Sequence, residues 1–542
     1  MTRGLPYDDK VCPLFCPVSA YPMPALPPPA QFNFAHHVLG LNENRAAKLA
    51  YRDDERTLTY AELDRRVRRF AAALAALGLR REERVLLLMH DTIDWPVAFL
   101  GCLYAGVIPV ALNTLLTPAD YAYMLTHSRA QAAFVSSALM PVLTQAMKDA
   151  AHHVKRVVDA SELSSLLAQH EPAASPVPTA ADDIGFWLYS SGSTGKPKGT
   201  VHTHANLYWT AELYGKPVLG VREDDVVFSA AKLFFAYGLG NALTFPLSVG
   251  ASVVLMPGRP SPQAVFKRLT DPTGQEAGEQ RPTIFYGVPT LYAAMLAAPD
   301  LPARSQVNLR TAVSAGEALP REIGERFTAH FGCEVLDGIG STEMLHIFLS
   351  NRAGQVRYGT TGTPVPGYDI ELRDEHGAVV GADTIGDLYV KGPSAALMYW
   401  ASREKSCSTF IGAWTKSGDK YTRSRDGYFT YAGRGDDMLR VSGQYVSPFE
   451  VETALMQHPA VLEAAVIGKA DEDGLTKTKA FVVLKSPNTA STAFEDELKA
   501  FVKGKLAPHK YPRFLEFVAE LPKTATGKIQ RFKLREKEAA LG

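Results

Sequence analysis

The fold and the chemistry of this chain centre on the segment Tyr189-Ser190-Ser191-Gly192-Ser193-Thr194-Gly195-Lys196-Pro197-Lys198-Gly199. Its three glycines carry no β-carbon, so the backbone can turn tightly and approach a ligand closely. Its hydroxyl side chains, its two lysines and its exposed backbone N–H groups suit an anion, and polyphosphate is the expected ligand. The apolar residues 184–189 that precede the segment are typical of a strand.

Two other interpretations of this glycine-rich segment have to be weighed. A Walker A loop has four residues between its first glycine and its Gly-Lys pair. Here only Ser193 and Thr194 separate Gly192 from Gly195. A flexible linker rich in glycine and serine has a similar composition. The motifs found later in the chain favour the ligand-binding interpretation.

Length and composition exclude several classes of protein. A chain of 542 residues exceeds one ordinary hydrophobic core, so two or three domains are expected. Lys+Arg and Asp+Glu both number 57, so there is no overall charge to attract nucleic acid or an anionic membrane. The 5 cysteines are too few for a disulfide scaffold and indicate a reducing compartment, with Cys12 and Cys16 as free thiols. We therefore predict a soluble globular protein with the cytoplasm as its compartment.

Start signals for helices alternate with strand-like runs in the first two thirds of the chain. Thr59 and Glu62 form a predicted capping box, and Thr117 precedes a proline at a first helical position. Buried strands are predicted at 85–89, 132–135, 156–158, 283–287 and 311–314. This alternation predicts an α/β fold with parallel-type sheets, in a large region of several subdomains.

The character of the chain changes after residue 419. A polar, flexible junction spans 433–437, and Ser447 and Glu450 form a predicted capping box for a helix that reaches Gln457. Strands follow at 464–467, 480–484 and 514–518, with a helix at 494–502. We predict two domains, 1–434 and 435–542, of which the second is a small, mobile α+β unit with its hinge at Asp436.

Five further motifs follow the glycine-rich segment in a defined order. They are Ser314-Ala315-Gly316-Glu317, Asp337-Gly338-Ile339-Gly340-Ser341-Thr342-Glu343, Asp419, Gly433-Arg434-Gly435-Asp436-Asp437 and Lys523-Thr524-Ala525-Thr526-Gly527-Lys528. Their order and content resemble the acyl-adenylate-forming superfamily: acyl-CoA synthetases, adenylation domains and luciferases. The resemblance covers nearly the whole chain after residue 30, and the aromatic-acid CoA ligases within the superfamily are the most similar.

This resemblance implies roles for individual residues. Lys528, Thr342 and Glu343 would be catalytic, with Glu343 also the ligand of Mg²⁺. Lys528 would bridge the substrate carboxylate and the α-phosphate. Asp436 would be the hinge about which the small domain turns, which brings Arg440, Ser442 and Gly443 to the coenzyme A side. The implied ATP-binding residues are Ser190, Ser191, Gly192, Ser193, Thr194, Gly195, Lys196, Lys198, Gly316, Glu317, Asp337, Gly338, Ile339, Asp419 and Arg434.

The substrate pocket is predicted from the aromatic segment 232–239 and the strand ends. This segment contains no acidic residue, whereas amino-acid-activating relatives place an aspartate there, so an amino acid is not expected. Bulky aromatic and small side chains together suit a short, flat acid. The pocket candidates are Ala231, Phe235, Tyr237, Ala315, Gly340 and His346. For His202 and His204, just after the glycine-rich segment, a structural role is favoured because the mechanism needs no such base, and a catalytic role is the alternative.

Together these observations predict an enzyme that uses ATP, Mg²⁺ and coenzyme A to ligate an aromatic acid, with benzoate the leading candidate. A medium-chain fatty acid and a hydroxy- or halobenzoate are the alternative substrates. A non-catalytic adenylate-binding protein is the alternative from another class, and the presence of both Lys528 and Glu343 argues against it. No nucleic acid or membrane partner is expected, and a homodimer is suggested by the resemblance alone.

Overall fold

A computed structural model describes residues 25–190, 196–271, 281–435, 437–441, 444–472, 475–486, 490–507, 510–523 and 529–541. Within these ranges no helix combines the length and the apolar character needed to cross a lipid bilayer.

Helices and strands alternate along the chain as the sequence predicts. The helices are α1 (Phe34–Gly40), α2 (Tyr60–Ala76), α3 (Asp94–Tyr104), α4 (Pro118–Ser128), α5 (Met140–Asp149), α6 (Leu163–Ala168), α7 (His204–Thr210), α8 (Ala236–Leu239), α9 (Phe245–Val249), α10 (Pro262–Thr270), α11 (Pro289–Ala297), α12 (Arg321–Phe331), α13 (Arg403–Thr409), α14 (Pro448–Met456), α15 (Thr492–Lys503) and α16 (Arg531–Leu541).

The strands of the described residues fall into five sheets. They are β1 (Leu49–Arg52), β2 (Thr57–Thr59), β3 (Arg84–Leu88), β4 (Ile108–Ala111), β5 (Ala132–Val135), β6 (Arg156–Asp159), β7 (Ile184–Ser190), β8 (Lys198–Thr203), β9 (Val226–Ser229), β10 (Ser252–Val254), β11 (Ile284–Gly287), β12 (Thr311–Ser314), β13 (Val335–Gly340), β14 (Ile347–Ser350), β15 (Thr363–Pro364), β16 (Asp369–Arg373), β17 (Gly386–Lys391), β18 (Met398–Tyr399), β19 (Phe410–Ile411), β20 (Trp414–Arg423), β21 (Phe429–Arg434), β22 (Leu439–Val441), β23 (Gln444–Val446), β24 (Val461–Ala470), β25 (Thr476–Leu484) and β26 (Phe514–Phe517).

Local capping signals are confirmed for two predicted helices. At the start of α2, the Thr59 side chain accepts from the Glu62 N–H and the Glu62 carboxylate accepts from the Thr59 N–H. Thr117 and Asp120 make the same reciprocal pair at α4. Each pair satisfies backbone donors that the helix leaves free, so these helices start where the sequence predicts.

The third predicted capping box forms only in part. Ser447 accepts from the Glu450 N–H at 3.2 Å, and α14 begins at the next residue. The Glu450 carboxylate instead accepts from Lys510 Nζ, at 2.7 Å to each oxygen. A lysine 60 positions away has therefore taken the place of the local partner.

Two large sheets form the body of the fold. A seven-stranded sheet has the order β18-β8-β7-β4-β3-β5-β6, and a nine-stranded sheet has the order β15-β14-β13-β12-β11-β9-β10-β1-β2. Neighbouring strands are parallel from β7 to β6 in the first sheet and from β13 to β1 in the second, and the remaining pairs are antiparallel. The predicted α/β fold with parallel-type sheets is confirmed.

Alternate residues of each strand face different cores. Val85 and Leu87 of β3 belong to a large cluster that also contains Val313 of β12, so this core is shared by the two large sheets. Leu86 and Leu88 pack on the opposite face of the seven-stranded sheet. Both faces of the parallel strands are covered, as such strands require.

Smaller sheets complete the chain. Strands β16, β17, β19, β20 and β21 form a five-stranded sheet, β22 pairs with β23, and β24, β25 and β26 form a three-stranded sheet. Val466 of β24 packs in a cluster with Leu455 of α14 and Leu498 of α15, whereas Ile467 packs in a separate cluster with Leu534 of α16. This α+β unit matches the predicted small C-terminal region, and its boundary at residues 434 and 435 stays a prediction.

Candidate active site

Several of the predicted motifs meet at one edge of the nine-stranded sheet. Strands β9, β11, β12 and β13 are parallel neighbours, so their carboxyl ends lie together. Ala231 follows β9, residues 315–317 follow β12, and Gly340 ends β13. Open α/β sheets bind ligands at this edge, so the structure places the predicted pocket where the fold favours one.

Tyr237 connects helix α8 to these strand ends. Its hydroxyl donates to the carbonyl oxygen of Val313 at 3.0 Å and lies 3.4 Å from that of Gly287. The two carbonyls belong to the adjacent strands β12 and β11. The sheet therefore holds the hydroxyl, and this fixes the position of the Tyr237 ring at the predicted pocket.

His346 lies beside Tyr237 in a buried aromatic setting. Its Nε2 is 3.2 Å from the Tyr237 carbonyl and 3.2 Å from Asn241 Oδ1. Its ring centroid is 4.5 Å from that of Phe245 and 5.7 Å from that of Tyr237. Burial lowers the pKa of His346 to about 3, so the imidazole is neutral. Because both acceptors face Nε2, that nitrogen carries the proton and Nδ1 keeps its lone pair.

The other pocket candidates differ in how closely they join this pair. A β-carbon at Gly340 would lie 2.4 Å from the carbonyl oxygen of His346, so only glycine fits there. Ala315 is buried at the end of β12. Phe235 is partly buried and its ring packs against Phe234 at 4.6 Å. The Ala231 carbonyl accepts from Ser229 at 2.9 Å.

Glu343 lies in a second cluster, at the mouth of the glycine-rich segment. The hairpin of β7 and β8 sets Ser190 opposite Lys198. Glu343 Oε1 accepts from Ser190 Oγ at 3.3 Å and from the Tyr399 hydroxyl at 2.7 Å. Lys198 Nζ donates to the same Tyr399 hydroxyl at 3.0 Å and lies 4.0 Å from Glu343 Oε1. The side chains of Ser190, Lys198 and Tyr399 thus lie at the carboxylate of Glu343, the predicted metal ligand.

The two predicted lysines of this segment differ in their surroundings. Burial lowers the pKa of Lys198, and the Glu343 carboxylate opposes that shift. A partly buried ammonium of this kind suits contact with a phosphate. Lys196 Nζ instead lies 5.5 Å from the ring centroid of Tyr123, on α4. The Lys196 ammonium is therefore placed beside an aromatic ring, whereas Lys198 contacts the Glu343 cluster.

Thr342 is held through its main chain. His202 Nε2 donates to the Thr342 carbonyl at 2.8 Å, and Nδ1 lies 3.3 Å from Asn206 Oδ1. Burial lowers the pKa of His202 to about 4. His204 Nδ1 accepts from the Phe34 N–H at 3.3 Å, and burial lowers its pKa to about 4 as well. Both rings make structural contacts, and His202 also reaches the candidate site.

The predicted ribose pair is formed across two strands. Asp419 of β20 pairs in register with Arg434 of β21, and their side chains approach to 3.3 Å. Gly418 precedes Asp419 with φ +83°, and a β-carbon there would lie 2.8 Å from the Arg434 guanidinium. Besides burial, the positive charge of Arg434 lowers the pKa of Lys198.

The predicted adenine residues follow β12 and line β13. Gly316 has φ +94°, a conformation that favours glycine. Glu317 follows it, and Gly338 and Ile339 pair with Ser350 and Leu349 of β14. Asp337 is buried, which raises the pKa of its carboxyl well above the usual range. Its main-chain carbonyl accepts from the Asn351 N–H at 2.9 Å.

Some predicted site residues lie outside the described residues. They are Ser191, Gly192, Ser193, Thr194, Gly195, Asp436, Ser442, Gly443 and Lys528, together with the side chain of Arg440. Their predicted roles stay predictions.

Glu343 is the predicted ligand of a magnesium ion at this site. Among the described residues no three His, Cys, Asp or Glu side chains cluster as a metal site would require. Mg²⁺ is commonly held by one or two carboxylates together with substrate phosphates and water. A single carboxylate beside a glycine-rich segment fits that mode of binding.

The sequence analysis missed Tyr399 and Asn241. Tyr399 lies 56 positions from Glu343 and 201 from Lys198, and its tripeptide Met398-Tyr399-Trp400 carries no recognisable motif. Asn241 lies 105 positions from His346. No local pattern could have paired these residues.

Comparison with protein families gives two matches that cover most of the chain. The description of the first is "AMP-binding enzyme", and it matches residues 40–400. The second is "AMP-binding enzyme C-terminal domain", and it matches residues 450–528. The two matched regions follow each other in the order that the motifs predict.

Individual proteins extend this similarity. The benzoate–CoA ligase of Thauera aromatica is 56% identical over 520 residues, which cover 94% of this chain and 97% of that protein. The crystal structure of a benzoate CoA ligase from Burkholderia xenovorans LB400 matches with a TM-score of 0.87 and 63% identity, over 93% of this chain and all of that one. The anthranilate CoA ligase AuaEII, solved in complex with anthranoyl-AMP, matches with a TM-score of 0.89 and 41% identity, over 95% of this chain and 99% of that one.

Proposed function

The chain belongs to the AMP-binding enzyme family, and we propose that it joins benzoate to coenzyme A through a benzoyl-AMP intermediate, with release of AMP and pyrophosphate. The observation that carries the proposal is the 56% identity to a benzoate–CoA ligase along 94% of the chain. The clustering of Glu343, Ser190 and Lys198 beside the glycine-rich segment supports it.

Chemistry requires two steps in this reaction. A carboxylate has no leaving group, so a thiol cannot displace oxygen from it directly. In the first step a benzoate oxygen bonds to the α-phosphorus of ATP, and the bond to the β-phosphate oxygen breaks as pyrophosphate leaves. In the second step the sulfur of coenzyme A bonds to the acyl carbon, and the bond to AMP breaks. Positioning and charge stabilisation account for the catalysis, and no protein nucleophile is needed.

The phosphate side would be formed by the glycine-rich segment and its neighbours. Lys198 and Ser190 would contact the β- and γ-phosphates, and Thr342 would hydrogen-bond the α-phosphate. Glu343 would hold Mg²⁺, which neutralises charge on the phosphates when bound. Lys528 would bridge the benzoate carboxylate and the α-phosphate. The support is geometric for the first four residues and rests on motif similarity for Lys528.

The nucleoside and coenzyme A sides follow the same assignment. Asp419 and Arg434 would bind the ribose hydroxyls, as an acceptor and a donor. The main chain at 316–317 and 337–339 would form the adenine slot. Asp436 would be the hinge, and Arg440, Ser442 and Gly443 would face coenzyme A after the C-terminal domain turns.

The acid pocket would be bounded by Tyr237, His346, Gly340, Ala315, Phe235 and Ala231. The low pKa of His346 supports an uncharged ring substrate, because the imidazole brings no cation to the pocket. The Tyr237 ring is immobilised by the strand carbonyls, which suits recognition of a flat acid over a flexible chain. The same proposal places the protein in the cytoplasm and gives it a homodimeric assembly. The first rests on ATP and coenzyme A as substrates, and the second on the family alone.

The test is pyrophosphate release with ATP, Mg²⁺ and a panel of acids, in the presence and absence of coenzyme A. The panel contains benzoate, 4-hydroxybenzoate, 4-chlorobenzoate, hexanoate and octanoate. We expect the highest kcat/KM with benzoate, and turnover that requires coenzyme A. Lys528→Ala should lose the first step by several orders of magnitude, whereas the exposed neighbour Lys533→Ala should keep it. Preference for octanoate would refute the assigned pocket, and no release with any acid would refute the proposed reaction.

A further inference from the structure

Tyr399 contacts two groups of the phosphate site and belongs to neither motif. Its ring is buried, with its centroid 5.3 Å from that of Phe410. Its N–H donates to Ser406 Oγ at 3.0 Å. Strand β18 pairs Tyr399 with Thr200 of β8, the strand that leaves the glycine-rich segment. The side chain is therefore fixed relative to both strands.

The Tyr399 hydroxyl is both an acceptor and a donor. It accepts from Lys198 Nζ at 3.0 Å and donates to Glu343 Oε1 at 2.7 Å. The ammonium also lies 4.2 Å from the centroid of the Tyr399 ring. A phenol hydroxyl has one proton to donate and lone pairs that accept, so it can make both contacts at once. The hydroxyl is thus interposed between a cation and an anion.

This interposition keeps Lys198 and Glu343 apart. Their charged atoms are 4.0 Å from each other, longer than the 2.7 Å of a hydrogen-bonded ion pair such as Lys420 with Asp387. A direct pair would use up the charge that each residue is proposed to present to phosphate or metal. Since the hydroxyl satisfies both, neither is driven to bond the other.

The donors to Glu343 also fall on one oxygen. Tyr399 and Ser190 both bond Oε1, and the Glu343 main-chain carbonyl accepts from the Ala396 N–H at 2.7 Å. Within the described part of the chain, these contacts engage Oε1 and the main chain. We propose that Tyr399 is a positioning residue, which holds Glu343 by Oε1 so that Oε2 remains for Mg²⁺ and holds Lys198 free for the phosphates.

This inference rests on the proposed function, and Tyr399→Phe tests it. The variant keeps the ring and its packing and loses only the hydroxyl. Tyr121→Phe is the matched control, because Tyr121 is equally buried and its hydroxyl also donates, to Asn113, and accepts, from Leu116, at 2.7 and 3.2 Å. Tyr121 lies on α4, outside the proposed site.

The main measurement is benzoate-dependent pyrophosphate release as a function of free Mg²⁺ at saturating ATP. We expect Tyr399→Phe to raise the half-saturating Mg²⁺ concentration about tenfold, because the loss of one hydrogen bond to a charged group has an effect of about that size. Excess Mg²⁺ should restore much of its rate. Tyr121→Phe should keep the wild-type Mg²⁺ dependence. Equal Mg²⁺ dependence in the two variants would overturn the inference.

A second measurement separates positioning from a general structural effect. Preformed benzoyl-AMP reacts with coenzyme A to give benzoyl-CoA without release of pyrophosphate. The hydrogen bonds of the Tyr399 hydroxyl are not needed in this half-reaction, so Tyr399→Phe should retain its rate within about twofold. Equal losses in both half-reactions would mean that Tyr399 acts only through folding, which overturns the inference.

Ser190→Ala provides an independent variant should Tyr399→Phe fail to fold. It removes the weaker donor to the same oxygen, so the half-saturating Mg²⁺ should rise by a smaller factor, and an unchanged value would count against the inference. Wild-type enzyme that releases no pyrophosphate with any acid would instead refute the proposed function itself.

Discussion

Gly240 lies directly against the imidazole of His346, in the π-helical turn Gly240–Thr244 between α8 and α9. A β-carbon at Gly240 would lie 2.2 Å from His346 Cδ2 and 2.6 Å from Nε2. Ordinary contact begins near 3.4 Å, so Gly240→Ala requires the ring to retreat by roughly 1 Å.

The surroundings of His346 oppose that movement. Nε2 is held by the Tyr237 carbonyl and by Asn241, both at 3.2 Å. The rings of Phe245 and Tyr214 close the other sides, at centroid distances of 4.5 and 5.5 Å. Overpacking of this kind costs about 1–3 kcal/mol, and a weakened hydrogen bond adds about 1 kcal/mol. We expect a total loss of about 2–4 kcal/mol, and a fall of a few degrees in apparent melting temperature.

The same displacement should alter catalysis, because His346 is part of the proposed acid pocket. We expect Gly240→Ala to raise KM for benzoate more than it changes KM for ATP. Gly381→Ala is the control, since its β-carbon would meet no heavy atom within 4 Å and its backbone is not left-handed. Thermal melts and initial rates of both variants test the two parts of the prediction.

A double variant tests the cause. His346→Ala removes the ring that the new methyl group would strike, so Gly240→Ala should cost less in that background than in the wild type. The coupling should amount to about 1–3 kcal/mol, which is the part of the total that the clash contributes. Additive losses would contradict the steric explanation, and so would a melting temperature of Gly240→Ala equal to that of Gly381→Ala.

Two further predictions concern buried carboxylates. Asp225 is buried and accepts from Arg310 Nε at 2.7 Å and from Nη2 at 2.5 Å. Arg310→Met leaves this buried carboxylate without its cation, so it should lower the free energy of unfolding by about 3–5 kcal/mol in thermal or denaturant experiments. Arg321→Met, at an exposed ion pair, should change nothing measurable. Burial raises the pKa of Asp91 to about 6, although the Lys232 charge opposes the shift. The protonated carboxyl therefore stabilises the folded state fully below the unfolded pKa near 4, and this stabilisation is lost as the pH rises through 6. Asp91→Asn should therefore be more stable than wild type at pH 8 by up to about 3 kcal/mol, with this advantage absent at pH 4, and a pH-independent difference in melting temperature would contradict the assignment.

Local elements were predictable because their causes lie within a few residues. Thr59 and Glu62 are three positions apart, and their reciprocal hydrogen bonds form in the structure as the sequence predicts. The strands at 132–135 and 311–314 also occupy the predicted residues. The capping box at Ser447 formed only in part, since Lys510 competes for the Glu450 carboxylate from a distant part of the chain.

The residues of the candidate site were likewise predictable from local motifs, whereas the contacts between distant elements were not. The motifs and the resemblance that they carry predicted Glu343, Lys198, Asp419 and Arg434 as site residues, and they predicted the reaction class that the family matches support. They could not pair Glu343 with Tyr399, or His346 with Asn241, since those contacts join elements far apart in the chain. They also left undecided that Lys196 turns toward Tyr123.

The sequence by itself therefore determined the elements, their order and the chemical groups available for catalysis. These follow from hydrogen bonds and backbone preferences among near neighbours, which are similar wherever such a segment occurs. Only the tertiary structure decided which groups share a proton or a charge, such as Lys198, Tyr399 and Glu343. The physical reason is that such contacts require two surfaces to pack at about 3 Å, and that packing depends on every residue of the core between them.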